Sequence, residues 1–93
     1  MLALRLYVSH GSVSSAEAIT NVERLRAKLA DQQVDVEVVD VRENPDVTES
    51  DRILATPTLL KLSPLPQRRI VGDLRDVELV ARYLTAGTEG ATS

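Results

Sequence analysis

The chain opens on a strict alternation. Leu2, Leu4, Leu6 and Val8 fall on one face of an extended segment, with Ala3, Arg5 and Tyr7 on the other. A Ser/Gly-rich loop follows over residues 9–14. Ser14-Ser15-Ala16-Glu17 has the form of a capping box, and Ile19, Val22, Leu25 and Leu29 then recur at helical spacing. An amphipathic helix ending near Ala30-Asp31 is predicted. Val34 to Val41 is rich in β-branched residues and alternates early, which predicts a second strand. Strand, helix and strand in this order make a βαβ unit with parallel strands.

Asn44-Pro45-Asp46 breaks the pattern, and Thr48 to Asp51 can open a short helix that carries Ile53 and Leu54 inward. The stretch from Thr56 to Leu62 fits two readings. Pro57 can be the first residue of a strand, where its missing N–H costs nothing, and the Thr56–Pro57 bond is a candidate for the cis form. Thr56 can equally be an N-cap and Pro57 the N1 residue of a helix. In the strand reading, Ser63 to Pro66 turns the chain and residues 67–71 return as an antiparallel partner that stops at Gly72. Asp73 and Asp76 can cap a last helix whose apolar face is Leu74, Val77, Val80, Ala81 and Leu84, with Glu78 and Arg82 at i,i+4. The resulting order, βαβαββα, is that of a thioredoxin-like α/β sandwich. Residues 1–86 form this one domain, and residues 87–93, small and polar, are expected to be a flexible tail.

Composition narrows the chemistry. Ninety-three residues with 43% hydrophobic and 27% charged content suit a single soluble domain. There is no apolar run of membrane-spanning length and no leader-like start, so a cytoplasmic location is expected. The net charge of −3 argues against nucleic acid or anionic membrane as a partner. No cysteine is present, which removes disulfides, thiolate metal sites and the thiol exchange that thioredoxin-like proteins run at the first helix N-terminus. That stretch reads His10-Gly11-Ser12-Val13-Ser14-Ser15. His10 is the single histidine, which leaves few parts for a metal site or a histidine acid–base pair, and no spacing suggests it as the partner of a serine. No catalytic residue, cofactor site or metal site is expected. Arg68-Arg69 fits either an acidic or phosphate partner or the charge that protects an edge strand. The acidic run Asp40, Glu43, Asp46, Glu49, Asp51 lacks the spacing and glycine of a calcium loop and suits a solvated helix start.

Leu4 to Val8, Val39-Asp40-Val41, Asn44-Pro45, Asp51 to Leu59 and Arg68 to Leu74 form a series of blocks. In sequence and order these blocks resemble the KaiB family of circadian clock proteins. Ile53-Leu54-Ala55-Thr56-Pro57-Thr58-Leu59 and Arg68-Arg69-Ile70-Val71-Gly72-Asp73-Leu74 are the specific ones. The N-terminal sensor domain of the clock kinase SasA is a related type. The resemblance implies a non-enzymatic regulator that binds a KaiC-type ATPase, with a KaiA-like protein as a second partner. It also implies a metamorphic fold: a thioredoxin-like monomer that binds the ATPase, and a tetramer with a different ground-state fold. Tyr7, Arg52, Arg69 and Asp73 lie in the matching blocks and are expected on or beneath the partner surface. The chain departs from the family in its first loop, in Glu43 where lysine is common before Asn-Pro, and in lacking the acidic C-terminal extension. The alternative reading is a SasA-type sensor or interaction domain without a clock role. A degenerate oxidoreductase kept for its fold is a third.

Overall fold

The alternation at the N-terminus becomes β1 (Leu2–Val8), and the remaining strands assemble around it. In this computed structural model, which describes residues 1–90, the sheet order is β2-β1-β3-β4. β2 (Val34–Asp40) runs parallel to β1, while β3 (Thr58–Ser63) pairs antiparallel with β1 and β4 (Arg68–Val71) antiparallel with β3. The second half therefore takes the hairpin-then-helix arrangement of a thioredoxin-like sandwich. Thr56 to Leu62 resolves to the strand reading: Tyr7 pairs with Thr58 and Leu6 with Leu59. The Thr56–Pro57, Ser63–Pro64 and Leu65–Pro66 bonds are cis.

Each face of the sheet has its own cover. Leu2, Leu4, Leu6 and Val8 point to one side and meet Ala18, Val22 and Leu25 of α1 (Val13–Lys28) and Val80, Ala81 and Leu84 of α3 (Val77–Gly90). Burying each leucine or valine among them is worth about 1.5–3 kcal/mol, so this layer carries most of the apolar stabilisation. On the other side Tyr7, Val39 and Leu60 form a smaller cluster, against which Val41, Val47, Ile53 and Leu62 pack. Its only helical cover among the described residues is α2 (Pro45–Ser50), a single short helix.

Several boundaries differ from the sequence expectation, each for a local reason. The N-cap of α1 is Ser12, not Ser14: its φ and ψ of −80° and 130° are extended, and its Oγ accepts from the Ser15 N–H. Ser15 is then free to turn inward, where its Oγ accepts from the Ser9 N–H at 3.0 Å. The buried stripe runs through Ala18, Val22, Leu25 and Leu29, at i, i+4, i+7 and i+11, which leaves Ile19 exposed at its edge. The helix ends at Lys28. α2 starts at Pro45, whose fixed φ suits the first helical turn, rather than at Thr48. Leu54 lies beyond its end and is 96% exposed, not inward. α3 starts at Val77, with Asp76 Oδ1 accepting from the Leu79 N–H at 3.1 Å, so Asp76 alone caps it. Leu74 is buried in the link before it, at φ 65°. Glu78 pairs not with Arg82 but with Lys28 of α1, at 3.6 Å. The α3 backbone continues through residues 87–90, where a tail was expected, and residues 91–93 of that tail lie outside the described residues.

Candidate partner-binding surface

Six residues are too few for a helix to persist without tertiary help, so α2 depends on how its ends are held. The C-terminal end closes in two backbone bonds: Arg52 N–H to the Glu49 carbonyl at 3.0 Å and Ile53 N–H to the Thr48 carbonyl at 3.1 Å. This is a Schellman closure, which places one residue in the left-handed region, usually glycine. Here that residue is Arg52, at φ 55°. A side chain there costs about 1 kcal/mol against glycine. The carbonyls just past the end of α2 are satisfied from outside by β4: Arg69 donates to the Asp51 carbonyl at 2.8 Å and to the Arg52 carbonyl at 3.1 Å. The cation also sits at the negative end of the helix, where charge and dipole attract.

The underside of α2 is pinned to β1. Asp51 receives Arg5 Nη1 at 3.0 Å and the Tyr7 hydroxyl, with the Val47 carbonyl 3.3 Å away as a further acceptor for that hydroxyl. Arg5 also donates through Nε to Glu37 of β2 at 2.8 Å. Its guanidinium is held firmly charged, chiefly by Glu37 and further by Tyr7 and Asp51. Tyr7 is wholly buried, and burial, then Asp51, pushes its hydroxyl up from the ordinary tyrosine value. It therefore acts as a neutral donor. Replacing it by phenylalanine keeps the packing and removes the donor, so Tyr7→Phe should lower stability by about 1–2 kcal/mol in urea unfolding.

Above this scaffold, Val41, Pro45, Ile53 and Leu54 line an open groove of about 650 Å³, with Glu49 and Arg52 among its polar residues. Exposed Leu54 beside an exposed arginine gives α2 an apolar surface with a charged edge. Of the residues expected at the partner surface, Arg52 is on this face, Arg69 clamps it from β4, and Tyr7 supports it from below. Asp73 is elsewhere: its backbone carbonyl accepts from Asn21 Nδ2 of α1 at 2.8 Å, and its carboxylate pairs with Arg75 at 3.0 Å. Bonding to Arg75 holds that carboxyl below the usual aspartate range. A second depression of about 390 Å³ lies where β1 and β2 end against the start of α1, bordered by His10, Ser12 and Asp40.

Two residues central to these arrangements, and one on the opposite face of the sheet, escaped sequence reasoning. Arg5 and Asp51 meet only through the fold, being 46 positions apart. Lys61 carries a local signal, a lysine inside an apolar strand, and it is wholly buried on the helix-covered face.

The sequence profile of the KaiB domain matches residues 5–86. The chain belongs to the KaiB family. It is 40% identical over 89 residues to the circadian clock protein KaiB3 of Synechocystis sp., covering 96% of this chain and 87% of that one. It is 43% identical over 77 residues to the circadian clock oscillator protein KaiB of Synechococcus elongatus, covering 83% and 76%. Among solved structures, the N-terminal domain of Synechococcus elongatus SasA superimposes with a TM-score of 0.74 at 25% identity, over 90% of this chain and 79% of that one. Thioredoxin from Trypanosoma brucei brucei gives 0.76 at 13% identity, over 96% and 76%, a likeness of fold alone. In this KaiB-family chain the first-loop depression thus occupies a thioredoxin-like frame without any cysteine.

Proposed function

We propose that this protein is a non-enzymatic, cytoplasmic clock-type regulator that binds a KaiC-type ATPase through the α2 face, as a monomer in this fold. The observation that carries this reading is the KaiB-domain match running unbroken over residues 5–86, the segment that builds β1, α2 and the β4 clamp. The groove beside Leu54 supplies what such a surface needs, an apolar centre with charge at its edge. No helix among the described residues is long and apolar enough to cross a membrane, and no cysteine is available for redox turnover. A KaiA-like protein as second partner, and a tetramer in an alternative fold, belong to the same reading. The SasA N-terminal domain shares the fold, but the KaiB relatives are nearer in sequence, at 40–43% identity against 25%.

The test is calorimetric titration of a KaiC-type hexamer with wild type, Leu54→Asp and Arg52→Gly. Leu54 is 96% exposed and Arg52 occupies a position that glycine prefers, so neither change should unfold the chain. Arg52→Gly should raise stability by up to about 1 kcal/mol and still weaken binding. Leu54→Asp should weaken binding at least tenfold, an expectation for an apolar anchor of about 1.4 kcal/mol or more. Unchanged affinity in both variants would remove α2 from the interface. No binding by the wild type would favour the SasA-type interaction domain. Charge reversal at Arg69 is a poorer probe, because it would also release the carbonyls of Asp51 and Arg52.

A further inference from the structure

Lys61 lies mid-strand in β3 and is 0% exposed. Its side chain faces the helices, opposite Leu4 on β1 and Arg68 on β4. Nζ donates to the Leu84 carbonyl of α3 at 2.8 Å. Among residues 1–86 it has no carboxylate partner. A buried ammonium with one neutral acceptor is costly, whereas a buried neutral amine can make the same bond.

The groups around it make the charge harder to keep. Arg68, directly across the ladder, stacks its guanidinium on the Tyr83 ring of α3 at 5.0 Å, and its Nε is buried without a partner. From β1, Leu4 faces Lys61, and Arg5 points to the opposite side of the sheet. α1 contributes Leu25 and its C-cap Leu29 to this layer. On α3, Glu78 is engaged at the surface with Lys28 of α1.

We propose that Lys61 and Arg68 form a pH-sensitive latch between the β3–β4 hairpin and α3, in which the docked state takes Lys61 as a neutral amine. Desolvation, then the Arg68 charge, pushes the Lys61 ammonium below the ordinary lysine value. A lysine lowered in the folded state binds its extra proton in the unfolded chain. Stability therefore rises with pH between the folded and the ordinary values, and the penalty is constant below that window. The folded-to-unfolded ratio gains at most about tenfold per pH unit there. Tyr7, raised by burial and Asp51, acts in the opposite sense above the ordinary tyrosine value, but it is common to wild type and any Lys61 variant.

The experiment compares urea unfolding of wild type and Lys61→Met from pH 7 to 10. Methionine keeps the length and drops the charge. The variant should be the more stable at neutral pH, and the gap should close as pH rises. Carbon NMR of lysine-labelled wild type supplies the second readout, since Lys28 and Lys61 are the only lysines in the sequence. Lys61 should titrate below the ordinary lysine value. A gap independent of pH, or Lys61 titrating at or above the ordinary lysine value, overturns the latch. If Lys61→Met does not fold, the titration of the wild type decides alone.

Discussion

Truncating Leu84 to alanine is expected to lower stability by about 3 kcal/mol, with melting falling by roughly 12–24 °C for a chain of this size. Leu84 is 0% exposed, on the face of α3 that meets the leucines of β1. Cavity creation in such a layer costs about 2–5 kcal/mol, and a domain holds only about 5–15 in total. The backbone carbonyl that accepts from Lys61 survives the substitution, so the loss reports packing rather than the latch. The control is Leu79→Ala on the same helix, 53% exposed, which should stay within about 0.5 kcal/mol of wild type. Urea unfolding of both variants checks this. Equal losses would mean that α3 is not docked by its Leu84 face.

The strands and long helices were legible because their patterns are local. Leu2, Leu4, Leu6 and Val8 need only period two to declare their face, and Val22, Leu25 and Leu29 need only period 3.6. The start of α1 was less so. Ser12, Ser14 and Ser15 offer three similar caps within four positions; the structure takes Ser12, whose Oγ accepts from the Ser15 N–H, and gives the Ser15 Oγ to the Ser9 N–H. Thr56 to Leu62 satisfied both a helix and a strand rule, and pairing with β1 decides between them. Leu54 was placed inward because it is apolar, yet the Schellman turn at Arg52 directs the chain so that Ile53 packs and Leu54 does not. The KaiB-type blocks contain most of the residues of the candidate surface. They could not separate Arg52, which lies on it, from Arg69, which braces it, or from Asp73, which contacts α1 instead.

The bracing of α2 also predicts the second large effect. Asp51→Ala removes the acceptor shared by Arg5 and the Tyr7 hydroxyl, while leaving the backbone carbonyl that Arg69 holds. Arg5 retains Glu37, and the Tyr7 hydroxyl falls back on the Val47 carbonyl at 3.3 Å, a weaker bond to a neutral group. With Asp51 and Arg5 each about a quarter exposed, at 23% and 22%, solvent softens the loss below that of a fully buried pair. A cost of about 2–3 kcal/mol is expected. The damage should concentrate in α2, because α1, α3 and the leucine layer lie across the sheet and share none of these contacts. Amide exchange should therefore quicken across residues 45–53 far more than in β1 or α1, and affinity for a KaiC-type partner should fall with it. Uniformly faster exchange would assign Asp51 to the stability of the whole fold. Faster exchange confined to α2 with affinity unchanged would leave α2 ordered for some purpose other than the partner.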